Sequence, residues 1–270
     1  MIRLFYEKGE VPVKSFKFPA GELQVKVHLP PGEGHEFTIE AHLHSSDDIM
    51  ELFLVTDSIF QQAAANTIIN LRVPYLPYAR QDRVCAPGEA FSLSVMVHLL
   101  NVQGYHSIEV WDVHSNEALK CFVDVKNISA KELIQRKGFV FPKSWVVVSP
   151  DEGSHDRAYG VASISRNNVM IASKRRDAST GVITGTEIKH MPDPWHGTED
   201  CLIVDDICDG GKTFVELAKV LRTLTTGKIM LYVTHGIFSK GLGVFDGLID
   251  HIWCANPIGK QELSNKLRML

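Results

Sequence analysis

The sequence has no pair of cysteines at C-x-x-C spacing and only five cysteines in all: Cys85, Cys121, Cys201, Cys208 and Cys254. An odd number without paired spacing argues against a disulfide framework or a zinc site and favours thiols kept reduced. No apolar run approaches the roughly 18 residues that a membrane-crossing helix needs. The N-terminus has no basic stretch leading into an apolar one, the pattern of secretory signals. Basic residues are not in excess either: 28 Lys and Arg face 32 Asp and Glu, for a net charge of −4. The broad positive footprint of a nucleic-acid binder is therefore missing. Low-complexity segments and short repeats are absent. Together these absences predict a soluble cytoplasmic protein whose partners are small molecules, with no nucleic acid and no membrane among them.

The 270 residues are 44% hydrophobic and 22% charged, enough for one large or two medium cores. Short β-branched runs alternate with amphipathic stretches. Strands are expected at 2–6, 23–29, 37–43, 67–73, 107–112, 145–149, 169–173, 201–205, 228–233 and 251–254. Helices are expected at 48–64, 92–103, 129–136, 154–163 and 212–224, with a short one at 241–245. Alternation of this kind implies βαβ units and parallel sheets, an α/β fold. Residues 138–143, with Pro142, read as a hinge, which divides the chain into 1–142 and 143–270. Residues 175–200 are rich in Gly, Pro and polar side chains, with at most one strand near 181–188. Such segments in compact domains are often lids.

Ligands of open α/β sheets bind beyond the carboxyl ends of strands, so the residues just after each apolar run matter most. Asp112, His114 and Ser115 follow one run. Asp151, Glu152, Gly153 and Ser154 follow a second. Asp205, Asp206, Asp209, Gly210 and Gly211 follow a third and lead through Lys212 and Thr213 into a helix. This third stretch suits a phosphate: glycines let backbone N–H groups approach the anion, and a helix N-terminus attracts it. The two leading carboxylates would repel a phosphate but suit the 2- and 3-hydroxyls of a ribose. The place where a Walker motif needs its first glycine is held by Asp206, so Gly211-Lys212-Thr213 is not a P-loop.

The run from Tyr75 to Arg83 also follows an apolar strand. Arg80 and Arg83 offer guanidinium forks for triphosphate oxygens, and Gln81 can read a base edge. Lys174, Arg175 and Arg176 stand where a strand enters 175–200 and could close over a transferring phosphoryl group. Phe16, Phe18, Gly21 and Glu22 form another turn between strands, where core packing is the plain reading of the two rings.

In their order along the chain these residues resemble the ribose-phosphate pyrophosphokinases, the PRPP synthetases. The motifs are Phe18 to Glu22, Tyr78-Ala79-Arg80-Gln81-Asp82-Arg83, Asp112 to His114, Ser149 to Asp151, Lys174 to Arg176, and Asp205 to Thr213. The last is shared with type I phosphoribosyltransferases. The resemblance implies two similar phosphoribosyltransferase-like domains. It implies transfer of the β,γ-pyrophosphoryl group of ATP to the C1 hydroxyl of ribose 5-phosphate, with Mg2+, in a homo-oligomer. Carried over by motif, Arg80, Gln81 and His114 would bind ATP. Phe18 and Glu22 would reach the adenine from a neighbouring subunit, His114 and Asp151 would face the metal, and Lys174 and Arg176 would stabilise the transferring group. Asp205 and Asp206 would hold the ribose hydroxyls. Asp209, Gly210, Gly211, Lys212 and Thr213 would wrap the 5-phosphate.

The chain departs from the family pattern in four places. Ala20 stands where Asp is usual. Val84 to Gly88 replaces a Lys- and Arg-rich run, which predicts weak activation by inorganic phosphate. Gly210 and Lys212 stand where the family has Thr and Gly, which opens a variant acceptor: a larger ribosyl phosphate such as ADP-ribose, as in NAD regeneration. The family's C-terminal helical segment does not follow Ile258, so the usual hexamer is not assumed. A phosphoribosyltransferase, which needs no ATP site, and a non-catalytic regulatory homologue, which would have a damaged catalytic loop, are the competing readings.

Overall fold

The computed structural model describes residues 1–7, 9–30, 36–176, 183–259 and 267–269, with backbone only at 175, 176, 183 and 184. The chain forms two compact units, Met1–Ile128 and Ser129–Leu270.

The first unit contains β1 (Ile2–Tyr6), β2 (Gly9–Val11), β3 (Val13–Lys17), β4 (Leu23–Val27), β5 (Glu36–Ala41), α1 (Ser46–Gln62), β6 (Ile68–Val73), α2 (Ser92–Asn101), β7 (Ser107–Trp111), α3 (Asn116–Cys121) and β8 (Lys126–Ile128). Its main sheet has the order β2-β1-β5-β6-β7-β8. From β5 to β8 the neighbours are parallel, whereas β1 is antiparallel to β2 and β5. Every second residue points inward, as strand geometry requires: Phe37, Ile39 and Ala41 on β5, and Ile69, Leu71 and Val73 on β6, are buried. Helix α1 starts at Ser45, whose side chain accepts from the Asp48 amide, and it buries Leu52, Val55, Thr56 and Ile59. That spacing is one face of a 3.6-residue repeat. The β3–β4 hairpin is a separate two-stranded sheet packed along α1 through β4.

The second unit contains α4 (Ala130–Arg136), β9 (Val146–Ser149), a 3-10 turn (Glu152–Ser154), α5 (His155–Ala162), β10 (Asn168–Arg176), β11 (Ile183–His190), β12 (Cys201–Cys208), α6 (Lys212–Leu224), β13 (Ile229–Gly236), a second 3-10 turn (Leu242–Phe245), β14 (His251–Pro257) and β15 (Leu267–Met269). Its sheet order is β11-β10-β9-β12-β13-β14-β15. Strand β13 is buried at every residue, because both faces are covered. On one face Ile203 and Leu231 pack with Leu217 and Leu221 of α6. On the other, Leu202 and Tyr232 pack with Ala158 of α5 and Ile134 of α4.

The expected α/β class holds, with two amendments. Both sheets are mixed: β1, β2 and β11 run antiparallel to their neighbours around parallel interiors. The second unit begins at Ser129, ahead of the expected hinge. The reason is α4, fixed by a Ser129–Glu132 capping box, whose Ala130 and Ile134 share a core with Phe141 and Val147. Within 175–200, β10 runs on to Arg176 and pairs antiparallel with β11, so the segment holds a hairpin, while residues 177–182 lie outside the described ones. Among the described residues no helix is long and apolar enough to cross a membrane.

Candidate active site

The strand ends of β10, β9 and β12 lie side by side, since these strands are neighbours in the sheet. After β9 the chain turns sharply at Asp151. The buried Ser149 hydroxyl donates to the Asp151 carbonyl at 2.8 Å, and the Ser154 hydroxyl donates to Asp151 Oδ1 at 3.2 Å. On β10, Lys174 Nζ lies 2.8 Å from Asp151 Oδ2, with the two side chains 35% and 27% exposed. An ion pair so open to water contributes little stability and is easily exchanged.

Strand β12 carries Asp205 and Asp206 in its C-terminal half. Here the partner is Arg157 of α5, whose Nη1 lies 3.4 Å from Asp205 Oδ1 and 3.9 Å from Asp206 Oδ1. Asp205 Oδ1 also accepts the Asp206 amide at 3.0 Å. Burial, and then the adjacent Asp206 carboxylate, push the Asp205 carboxyl well above its ordinary range, and Arg157 opposes this. Asp151 adds a smaller push in the same direction, so the acidic groups of both strand ends share one electrostatic environment.

Beyond β12 the loop of Asp209, Gly210 and Gly211 leads into α6. The amides of Ile237 and Phe238 both donate to the Cys208 carbonyl, and the Ser239 hydroxyl donates to Asp209 Oδ1 at 2.6 Å. Gly211 has φ +74°, and a Cβ there would stand 2.6 Å from Phe245 Cζ, so only glycine fits. The N-cap of α6 is Gly211, which has no side chain to cap the helix, and an uncapped helix N-terminus is the arrangement that holds anions. Thr213 is half-buried in that first turn and Lys212 is exposed. A Cβ on Gly210 would lie 3.5 Å from Cδ and Cε of Lys240, so a second lysine reaches alongside the loop.

In the first unit, buried Leu76 and Ala79 anchor the turn after β6. Tyr78 takes φ +64°, and the Gln81 amide donates to the Tyr78 carbonyl at 2.8 Å. Arg80, Gln81, Asp82, Arg83, Cys85 and Glu89 help line a cleft of about 470 Å³. His114 is exposed after β7. It follows Asp112, which is buried at φ +40° with its amide donating to Ile128. At the tip of the β3–β4 hairpin the Phe18 amide donates to Glu22, and that of Gly21 to Phe18. Phe16 and Phe18 meet edge to face at 5.3 Å and are 48% and 49% exposed. Core packing is therefore not their role. Ion pairing of Lys17 with Asp47 and a hydrogen bond from Ser15 to Glu51 tie the hairpin to α1.

The structure thus brings Asp151, Lys174, Asp205 and Asp206 to adjacent strand ends in the second unit, with Asp209 to Thr213 following. Arg80 and Gln81 come together in the first. The Arg176 backbone pairs with Ile183, and its side chain lies outside the described residues. Among the described residues, no group of three or more His, Cys, Asp or Glu side chains could hold a metal alone. Burial pushes the Cys201 and Cys254 thiols up to about 12, and Cys208 up as well, so none of the three is a nucleophile at neutral pH.

The N-terminal domain of ribose phosphate pyrophosphokinase matches residues 6–104 of this chain. The ribose-phosphate pyrophosphokinase of Mycoplasmopsis pulmonis is 34% identical over 84% of this chain and 70% of its own length. That of Thermococcus kodakarensis is 33% identical over 86% and 79%. The chain belongs to the ribose-phosphate pyrophosphokinase family. The fold agrees with this: the crystal structure of phosphoribosylpyrophosphate synthetase from Mycobacterium smegmatis superposes with a TM-score of 0.76 at 22% identity, covering 96% of this chain and 86% of that one.

Against the motifs that mark this family in the sequence, three participants at the second-unit site went unnoticed. Arg157 lies within a helix start, where a charged residue reads as a solvated face. Ser239 and Lys240 follow β13, an apolar run whose end carries no acidic cluster. All three lie where ligands of α/β sheets gather, at a strand end or in the first turn of the helix that follows one.

Proposed function

We propose that this chain transfers the β,γ-pyrophosphoryl group of ATP to the C1 hydroxyl of ribose 5-phosphate, giving PRPP and AMP. The observation that carries this reading is the sheet order β10-β9-β12. It sets a lysine–carboxylate pair suited to a transferring phosphoryl group beside a ribose-phosphate cradle.

Asp205 and Asp206 accept the 2- and 3-hydroxyls of the ribose. The N-terminus of α6, with Asp209, Gly210, Gly211, Lys212 and Thr213, holds the 5-phosphate. Arg80 and Gln81 hold ATP in the first-unit cleft with His114, while Phe18 and Glu22 belong to an ATP site completed by a second copy of the chain in a homo-oligomer. An exposed aromatic pair on a well-anchored hairpin fits such a role better than a place in its own core. In the reaction the C1 oxygen bonds to the β-phosphorus as the bond from that phosphorus to the oxygen of AMP breaks, and the hydroxyl proton passes to solvent. Lys174 and Arg176 offset the charge on the group in flight, and positioning and charge supply most of the catalysis.

Magnesium suits the donor set. It prefers carboxylate, water and phosphate oxygens and is commonly shared between one or two side chains and substrate phosphates. Asp151 would hold it in the second unit, where the bound ion would supply charge neutralisation on the polyphosphate, and His114 is the candidate ligand of the first unit. Lys174 then leaves Asp151 for the transferring group, an exchange that their open, weak pairing permits.

One observation favours a second acceptor. Gly210 leaves room for Lys240, and Lys212 replaces a glycine, so two cations flank the 5-phosphate loop. A larger ribosyl phosphate such as ADP-ribose, with a second phosphoryl group at that position, would use both. The test is AMP release from ATP and magnesium with each acceptor in turn. Release with ribose 5-phosphate supports the main reading, release with ADP-ribose alone replaces its acceptor, and release with neither contradicts the proposed reaction.

A further inference from the structure

Among the described residues, Arg157 is a largely buried cation at the second-unit site. Its side chain is 10% exposed, against 15% for Asp205 and 6% for Asp206. It stands in the first turn of α5, where the helix dipole opposes a positive charge, and losing water costs a guanidinium dearly unless carboxylates meet it. Its position is thus held by Asp205 and Asp206, and theirs by it. Asp205 Oδ1 receives two donors, Arg157 Nη1 at 3.4 Å and the Asp206 amide at 3.0 Å. Two donors on one oxygen fix the rotation of the carboxylate. A helix packed against β9, β10 and β12 carries the clamp, so the orientation is set by the fold and not by the ligand.

We infer that Arg157 is a positioning residue: its guanidinium holds Asp205 and Asp206 in the orientation that receives the two ribose hydroxyls. The inference rests on the proposed assignment of those two carboxylates to the acceptor. Arg157 acts through the aspartates, which it meets at 3.4 Å and 3.9 Å. Removing it leaves two buried like charges against each other, and they part or take up a proton between them. Either response spoils a pair of acceptors spaced for vicinal hydroxyls.

The test is calorimetric titration of the full-length chain with ribose 5-phosphate, and separately with magnesium–ATP, for wild type, R157M and R157K. R157M should bind ribose 5-phosphate roughly ten- to a hundredfold more weakly, the usual loss for a charge-assisted contact, with its ATP constant within about threefold of wild type by the independence of separate sites. R157K should fall between, since an ammonium keeps the charge but not the planar fork. An unchanged acceptor constant in R157M overturns the inference. So do fewer binding sites per chain at an unchanged constant, the mark of a purely structural role. If R157M does not fold, R157K decides: an acceptor constant equal to wild type overturns the inference, and a weaker one with ATP binding intact supports it. A wild-type chain that binds no ribose 5-phosphate would contradict the functional reading itself, and with it this inference, whereas wild-type binding with an indifferent R157M contradicts this inference alone.

Discussion

The two units present their candidate residues in opposite ways. In the second, Asp151, Asp205 and Asp206 sit at strand ends, half-buried or buried, each already engaged by a cation or a backbone amide. In the first, Phe18, Glu22, Arg80, Gln81 and His114 are all exposed on turns. A site whose charges are paired and whose loop is fixed by a glycine that nothing can replace is built before its ligand arrives. A site made of exposed side chains on anchored turns still needs something to close over it. On the proposed function, the acceptor half is preorganised within one chain, and the ATP half is completed by ligand and by a second copy.

The largest expected effect breaks the proposed transfer step. Lys174→Ala should lower turnover by about 10²- to 10³-fold, the usual loss when a group that stabilises transition-state charge is removed, with little change in either substrate's binding. Steady-state kinetics decide this, and undiminished turnover would remove Lys174 from its assigned role. The next tests preorganisation. Gly211→Ala forces a Cβ into Phe245 at a left-handed position, which should cost about 2–4 kcal/mol by strain and overpacking, read as a drop in unfolding midpoint. A silent substitution would mean that the loop is not fixed as described.

Phe18→Ala makes the contrasting case in the first unit. Unfolding should change by no more than about 0.5 kcal/mol, as expected of an exposed side chain. The KM for ATP should rise about tenfold, as for the loss of one stacked ring, with that for the acceptor unchanged. A large loss of stability instead would return Phe18 to the core.

The smallest effect is in pH dependence, where the units should differ in sign. Asp205 is raised chiefly by burial. Its contribution to stability is present below the ordinary carboxylate range and is lost as pH rises through the raised value. Asp205→Asn should therefore raise the midpoint of the ligand-free protein at about pH 8, with the gain fading on acidification. Glu40 is held down to about 2 by hydrogen bonding to His42 against burial, with Arg72 assisting. Its contribution is present above the ordinary value of 4.5 and is lost as pH falls toward 2. Glu40→Gln should lower the midpoint near neutrality, with the deficit closing on acidification. Thermal scans from about pH 8 to pH 3 compare the signs, and equal signs would contradict these assignments.

Much of this was legible in the sequence because strand ends carry chemistry in parallel sheets. Asp151 and Asp205 to Thr213 each follow an unbroken β-branched run, and those runs are the strands β9 and β12. Boundaries were less legible. Strand β12 continues through Cys208 because its end pairs with His235 and Gly236, a tertiary fact no local pattern carries. The elements β2, α3, β8 and β15 are too short for periodicity to register, and β3, though as long as β1, is exposed at four of its five residues and shows no inward stripe. Residues 129–136 carry a helical pattern, but nothing local says which core Ile134 enters; it packs with Phe141 and Val147. Arg157 escaped notice for the same reason: its meaning depends on two carboxylates some 50 residues away along the chain that only the sheet brings to it.

The most direct measurement is phosphorus NMR of the products formed from ATP, magnesium and ribose 5-phosphate. AMP appearing together with a pyrophosphoryl group on the C1 oxygen is the predicted result. ADP with a monophosphorylated sugar, or a nucleotide pool that stays unchanged, would contradict the account.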